Sequence, residues 1–477
     1  MFSQEYIDRR LDGYAAKIYT NLYCSNDSLI LIGWGAIFQP TVPGKINITR
    51  FLKDGTYIGE TIFTINDDID YLPWLQGSSK RLNNDIYISG SGGLGAVNQE
   101  AFMSKYDLST DSLEWIKKII PDSASFNSIL VESIILPNDH IKGIMIESIS
   151  GANNTYIRLL EWDEVGNLIE EKIIDEDGYK YTARSILLNS NNETIIGVDV
   201  SPENGPISLQ LWRLDSDGNI LDKYISGEED NGQKCNKIIE TADGGYIFLD
   251  RVLEIAEGLP HFSSRITKLS NSLEKEWERK VGNIEFRTEL YNIKPTKDGN
   301  YIAVGISVEE NENGIAPAHM VKIDDDGELL WESFIDVDIT EDNGPQAISV
   351  NYLYDVIELE EGGFIACGQS LGQFVDSFPQ QALLIRVDDK GQLNHIFFTP
   401  PPNLEPLVVF PNPVQSTLYF KEEKEDNISY EIISLQGSLI SKGIYRKGTG
   451  IDVSFLVKGM YIVRLENGRK ASFVVGI

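Results

Sequence analysis

Few stretches of this chain have residue types and spacing that could do chemistry. Gly368-Gln-Ser-Leu-Gly372 has the Gly-x-Ser-x-Gly form of a hydrolase nucleophile. That chemistry needs a sharp strand-to-helix turn and an acid and a histidine later in the chain. Here the pattern ends a strand-like run, and only His395 follows. Gly90-Ser-Gly-Gly-Leu-Gly95 fits Gly-x-Gly-x-x-Gly, but no helical run follows to hold a pyrophosphate at its N-terminus. It reads as a glycine loop. Asn66-Asp-Asp-Ile-Asp70 sets oxygens at alternate positions, as a calcium site would, although no Gly follows. Calcium is the one cofactor left open, and no metal site or catalytic residue is assigned. Asp215–Gly218 and Asp324–Gly327 lack the ligand spacing of a calcium loop and read as side chains capping tight turns. His140, His261, His319 and His395 show no metal spacing. The three cysteines, Cys24, Cys235 and Cys367, are far apart and odd in number, so they read as apolar thiols rather than a disulfide framework.

The elements that must position any site come from a repeat. A basic or polar residue, an apolar residue and an Asp-rich turn recur at Arg50, Lys105, Glu161, Arg213, Lys268, Lys322 and Arg386, seven copies 52–64 residues apart. Lys322-Ile-Asp-Asp-Asp-Gly327 is the clearest. An earlier half also recurs, as Asp243-Gly-Gly-Tyr-Ile, Asp298-Gly-Asn-Tyr-Ile and Glu361-Gly-Gly-Phe-Ile, with degenerate forms at Asn26, Asn84, Asn138 and Asn192. Each unit reads as four strands, because β-branched and aromatic runs of strand length alternate with Asp-Gly and Gly-Gly turns. In the sixth they run roughly over 289–295, 300–307, 318–324 and 328–334. Four strands in this period suit a propeller blade better than a linear solenoid. The expected fold is all-β: a seven-bladed β-propeller of four-stranded blades over 1–399, with Gln4–Leu11 available as an edge strand. The units resemble the degenerate blades of secreted bacterial propellers.

Loop lengths separate two faces. The first-to-second and third-to-fourth connections are short. The others are long and variable, including 36–44, 66–81, 90–100, 254–262, 309–318, 336–351 and 371–380. Loops on a rigid scaffold carry function, so the long-loop face is the expected binding face. Its candidate ligand-binding residues are Asp68, Asp70, Trp74, Glu310, Asp342, Phe374 and Phe378.

The chain has 477 residues, 42% of them hydrophobic, and a formal net charge of -32. The region from Pro406 onward has nine Lys/Arg against seven Asp/Glu, so the acidity belongs to the repeats. Such a surface repels nucleic acid and anionic lipid. No apolar run approaches the length of a membrane helix.

Thr399-Pro-Pro-Pro-Asn-Leu-Glu-Pro406 breaks the pattern, since proline at this density makes a stiff spacer. It sets a linker at 400–406 and a second domain at 407–477. That tail opens with Val409-Phe-Pro-Asn-Pro413. It continues through Tyr430-Glu-Ile-Ile-Ser-Leu-Gln-Gly437 and Gly459-Met-Tyr-Ile-Val-Arg464 to Ser472-Phe-Val-Val. Short alternating strands predict a small immunoglobulin-like β-sandwich, with Tyr461, Val463 and Leu465 on one face. The tail closely resembles the type A C-terminal sorting domain of the type IX secretion system of Bacteroidota. Pro411, Asn412, Pro413, Gly437, Gly459, Tyr461 and Arg464 carry the likeness; Leu435-Gln436-Gly437 departs slightly from the usual Asp/Thr-Gly. The resemblance implies export across the outer membrane by that machinery, with the cargo released or kept on the surface. Met1–Gln4 looks like the end of an export leader whose apolar part is missing.

These features point to an exported binding or adhesion module for a glycan or protein. A secreted carbohydrate-active hydrolase or lyase, and a structural surface-layer component, are the alternatives. The ligand is not legible.

Overall fold

The computed structural model describes residues 16–25, 28–36, 45–53, 56–63, 71–73, 77–92, 99–119, 126–149, 155–174, 179–202, 207–226, 232–256, 259–282, 286–309, 315–336, 348–373, 380–394, 407–421, 427–434, 439–465 and 470–476. Among them there is no helix; the secondary structure is strands and turns. Strands before residue 394 form seven successive antiparallel meanders in a propeller-like arrangement. The sixth has strands Phe286–Pro295, Tyr301–Glu309, Ala318–Ile323 and Leu329–Ile335, close to those expected. In the seventh, Leu393, at the start of the expected fourth strand over 393–399, bridges to Val387, and residues 395–406 lie outside the described set. So does Gln4–Leu11.

The second strands explain how the meanders stack. Leu29-Ile-Leu-Ile32 is apolar at every position because both faces of the sheet are covered. Leu29 and Leu31 pack with Ile365, Cys367 and Leu384 of the seventh unit. Ile30 and Ile32 pack with Ile86, Ile88 and Phe102 of the second. Every other neighbouring pair shares such a core, so apolar packing runs round the array and returns to its start. The first strand of the chain also pairs with the seventh unit, Ala16 with Gln380.

The short turns behave as their sequence requires. Asp324 Oδ1 accepts the backbone N–H groups of Asp326 (3.1 Å) and Glu328 (2.7 Å), and Asp163, Asp215 and Asp388 each accept the N–H four residues on. Gly327 sits at φ 79°, and a Cβ on it would meet the Trp277 ring at 2.8 Å. Trp277, on the outer strand of the fifth unit, donates to Asp325 O of the sixth (3.1 Å). Trp115 and Trp331 do the same to their following units. The Asp-rich turns are therefore caps and inter-unit contacts.

The first strands lie next to one another round the axis. Six of them carry a register shift, between Tyr19/Asn21, Leu130/Glu132, Ala183/Ser185, Gln233/Lys237, Leu290/Asn292 and Leu353/Asp355. The second unit's is broken into Tyr71–Pro73 and Ser79–Leu82. A bulge re-aims a side chain, and here a buried polar group at the irregularity bonds the next unit. Ser78 Oγ donates to Asn21 Oδ1 (2.8 Å) and Lys80 Nζ to Glu132 Oε1 (2.8 Å). Ser185 Oγ donates to Glu132 Oε2 (2.9 Å) and accepts from Ile238 N (3.2 Å). Asn236 Nδ2 donates to Leu290 O (2.7 Å), Asn292 Nδ2 to Asp355 Oδ1 (2.9 Å), and Leu22 N to Asp355 Oδ2 (2.9 Å). All seven junctions are joined. Lys237 adds an ion pair to Glu132 from two units away.

The tail folds as two sheets. One contains Val408–Phe410, Thr417–Lys421 and Ile451–Asp452, the other Leu439–Arg446, Asn427–Ser434, Gly459–Leu465 and Lys470–Val475. Tyr461, Val463 and Leu465 join one core with Phe420, Ile432 and Phe473.

Glu132 is the critical belt residue. Burial alone would raise its pKa, but Lys237 and Lys80 outweigh burial and hold it at about 2. A carboxylate depressed from 4.5 to about 2 contributes about 3 kcal/mol at neutral pH. The folded pKa lies below the unfolded one, so this contribution is full above pH 4.5 and is lost as pH falls to about 2. Glu132→Gln leaves the largely buried Lys237 and the partly exposed Lys80 without this carboxylate. We expect about 3 kcal/mol of lost stability in urea unfolding at pH 7, with a smaller difference from the wild type below pH 4.5.

Candidate functional site

All seven sequence-derived ligand-binding candidates, Asp68, Asp70, Trp74, Glu310, Asp342, Phe374 and Phe378, lie outside the described residues, as does the Asn66–Asp70 stretch. Among the described residues no group of His, Cys, Asp and Glu is arranged to hold a metal. Gly368–Gly372 lies wholly inside the strand Phe364–Gln373, paired on both sides. A Cβ on Gly368 would meet Tyr352 O at 1.9 Å, so this glycine admits the neighbouring strand. Ser370 is buried in mid-strand, without the exposed turn a nucleophile needs. His319 is buried, stacked on Phe334 at 4.8 Å and bonded through Nε2 to Glu332 (2.6 Å). His140 Nδ1 meets Glu161 (2.9 Å). None of the three cysteines is in a disulfide, and of them only Cys24 is exposed.

Two expected loops are partly strand. Residues 254–262 form the end of a hairpin, Tyr246–Ala256 with Leu259–Leu269, paired out to Ala256 and Leu259. The apolar run Val252, Leu253, Ile255 simply continues the strand. The 309–318 insert contains Ile315–Ala316, paired in parallel with Ser349 and Val350. That insert therefore ties the sixth unit to the seventh.

The described part of the long-loop end holds a cluster built on the starts of the first strands of units four to seven. Lys234 (strand Gly232–Glu240) pairs with Glu289 (strand Phe286–Pro295), and Arg251 stands 3.7 Å from the same carboxylate. Arg184 Nε donates to Asp199 Oδ2 (3.1 Å), while Asp199 Oδ1 accepts Lys234 N (2.8 Å). The Phe262 ring lies between two guanidinium groups, Arg251 at 4.0 Å and Arg287 at 4.8 Å. Lys234 Nζ is 5.6 Å from the Tyr291 ring centre. Tyr291 contacts Tyr354 at 5.4 Å and Tyr352 at 6.3 Å. Burial raises the pKa of all three tyrosines, and the nearby Glu289 adds to it, so their hydroxyls stay protonated. Burial also lowers that of Lys234, against the pull of Glu289. Arg287 is exposed and has no carboxylate partner among the described residues.

Sequence reasoning passed over these residues because it looked for the site in the loops. The usable signal was cations near the starts of first strands, in Tyr179-Lys-Tyr-Thr-Ala-Arg184, Gln233-Lys234 and Phe286-Arg287. A smaller crevice between units three and four, at Lys142, Lys172 and Ser216, is already bridged by Lys172 Nζ to Asp217 O (2.9 Å).

In the tail, Asn412 reaches the last strand. Its Oδ1 accepts Val474 N (2.9 Å) and its Nδ2 donates to Ser472 O (3.3 Å), so the Pro411-Asn412-Pro413 opening is fastened to the C-terminal strand. On the strand Gly459–Leu465, Tyr461 donates its hydroxyl to Val457 O (2.9 Å) and Arg464 pairs with Glu431 (2.6 Å). Gly437 lies outside the described residues.

Residues 408–475 match the family described as secretion system C-terminal sorting domain. The tail is therefore a type IX sorting domain, which marks the chain for secretion or the cell surface and for contact with that machinery. No curated protein matches the chain. Solved structures similar in fold include an ulvan lyase of a polysaccharide lyase family (11% identity, 80% of this chain and 96% of that one, TM-score 0.46). A Trypanosoma rangeli sialidase is also similar (8% identity, 77% and 54%, TM-score 0.36). So is a Pyrococcus horikoshii acylaminoacyl peptidase (10% identity, 82% and 55%, TM-score 0.43). At these identities and scores none bears on activity.

Within the cluster, Lys234→Met leaves the buried Glu289 with only Arg251 at 3.7 Å. We expect about 2 kcal/mol of destabilisation by urea unfolding. Arg287→Ala, on an exposed group, should change stability by less than about 0.5 kcal/mol.

Proposed function

We propose that the repeats form a seven-bladed β-propeller that acts as an exported or surface-displayed binding module, delivered by a small immunoglobulin-like sorting domain. The domains would be 1–399, a linker 400–406 and 407–477. The blade count is supported by seven meanders with a shared core at every junction, including that between the seventh and the first.

The observation that carries the binding reading is the difference between the two ends of the ring. At the short-turn end, Asp side chains cap their own turns and Trp residues lie on the next unit's turn. At the long-loop end, the first strands of units four to six hold the partly exposed Arg184 and Lys234 and the exposed Arg287, beside the partly exposed Tyr352 of the seventh. A scaffold that satisfies one face and leaves polar groups convergent on the other is built for recognition. The ligand would be an extracellular glycan or protein.

Two experiments test this. Deleting residues 407–477 should leave the protein inside the cell on fractionation, whereas the full chain reaches the medium or the surface. The full chain on glycan and extracellular-protein arrays should show binding that disappears when residues 310–314, 337–347 and 374–379 are replaced by Gly/Ser. Binding that survives this replacement overturns the long-loop reading.

A further inference from the structure

We propose that the cluster of Arg184, Lys234, Arg251 and Arg287 with Tyr291 and Tyr352 binds an acidic saccharide, a sugar chain bearing carboxylate or sulfate groups. This rests on the binding reading above and names its ligand class and contact residues.

The charge comes first. The whole chain has a formal net charge of -32, yet among the described residues here four cations stand with two carboxylates, Asp199 and Glu289. Both carboxylates are mostly buried beneath the cations, which are more exposed than they are. The carboxylates therefore hold the cations in place and leave positive charge facing outward. Arg251 has its Nε buried without a hydrogen-bond partner, and its contact to Glu289 is long at 3.7 Å. Arg287 has no carboxylate at all among the described residues; the face of Phe262 holds its guanidinium in position. A guanidinium held over a ring face keeps N–H groups for a carboxylate or sulfate, which it can take with two parallel bonds.

The tyrosines supply the second half. Tyr291 and Tyr352 make no hydrogen bond through their hydroxyls among the described residues, whereas the Tyr354 hydroxyl is taken by Gln369. Two protonated phenols beside fixed cations suit a ligand rich in hydroxyls that also carries an anion. An acidic peptide offers the anion without the hydroxyls. A nucleic acid or another dense polyanion is opposed by the acidity of the rest of the chain. A sugar chain with anions spaced along it meets the local cations with less of that repulsion.

The test is calorimetric titration of the full chain with oligogalacturonate, a sulfated dextran oligomer, a neutral dextran oligomer and poly-glutamate. The expected result is binding of oligogalacturonate, sulfated dextran or both, none of neutral dextran, and weakening as salt rises. Arg287→Ala should weaken the acidic saccharide about tenfold, Arg287→Lys less, and Lys223→Ala on an outer strand not at all. The proposal is overturned if no acidic saccharide binds, if neutral dextran or poly-glutamate binds as tightly, or if Arg287→Ala leaves the affinity unchanged. A loop-dependent ligand on the arrays that is indifferent to Arg287→Ala would sink this assignment and leave the binding module standing. Empty arrays would remove both.

Discussion

The structure depends on a belt of buried polar side chains round the axis. Apolar packing between neighbouring sheets is strong but has no direction, so it would let the sheets slide or tilt. The hydrogen bonds at the bulges do have direction. Ser78 to Asn21, Lys80 and Ser185 to Glu132, Asn236 to Leu290, Asn292 to Asp355 and Asp355 back to Leu22 fix each first strand against the next. Apart from the partly exposed Lys80 these groups are buried, and a buried polar group without a partner is costly. Displacing one unit therefore breaks bonds at two junctions. Glu132 is the most heavily used member, since it accepts from both neighbouring units and from Lys237 two units away.

The belt also separates two ends of different construction. Below it, turns are short and closed on themselves, and outer-strand tryptophans bind the turns of the third, sixth and seventh units to the preceding unit. Above it, the same first strands carry Arg184, Lys234, Glu289 and Tyr291, and the connections lengthen. Rigidity at one end holds side chains in place at the other, which is what a binding site on the strands themselves needs. The tail has a core of its own and its opening Asn412 is fastened to its last strand, while Ile462 packs on Ile58 of the first unit. A sorting signal with an independent core can be read whatever cargo precedes it.

Much of the fold was legible because its causes are local. The sixth unit's four strands fall within a few residues of those expected, since each is bounded by an Asp-Gly or Asp-x-Asp-Gly turn whose bonds span four residues. The tail's inward face, Tyr461, Val463 and Leu465, followed from simple alternation. The hairpin at 254–262 was mistaken for a loop. The pairing of the two strands continues as far as Ala256 and Leu259. The bulges were invisible, since a register shift depends on the partner strand and leaves no composition signal of its own.

The sequence by itself determined the repeat, the strands, the turn chemistry of the aspartates and the export tail. Each of these rests on residues a few positions apart, so spacing along the chain is enough to specify it. Only the tertiary structure decided which polar residues meet round the axis and where positive charge collects in an acidic protein. Glu132 and Lys237, or Arg184, Lys234 and Arg287, belong to different units and become neighbours only when the units pack round the axis. Their chemistry depends on through-space distance, and no local pattern along the chain encodes it.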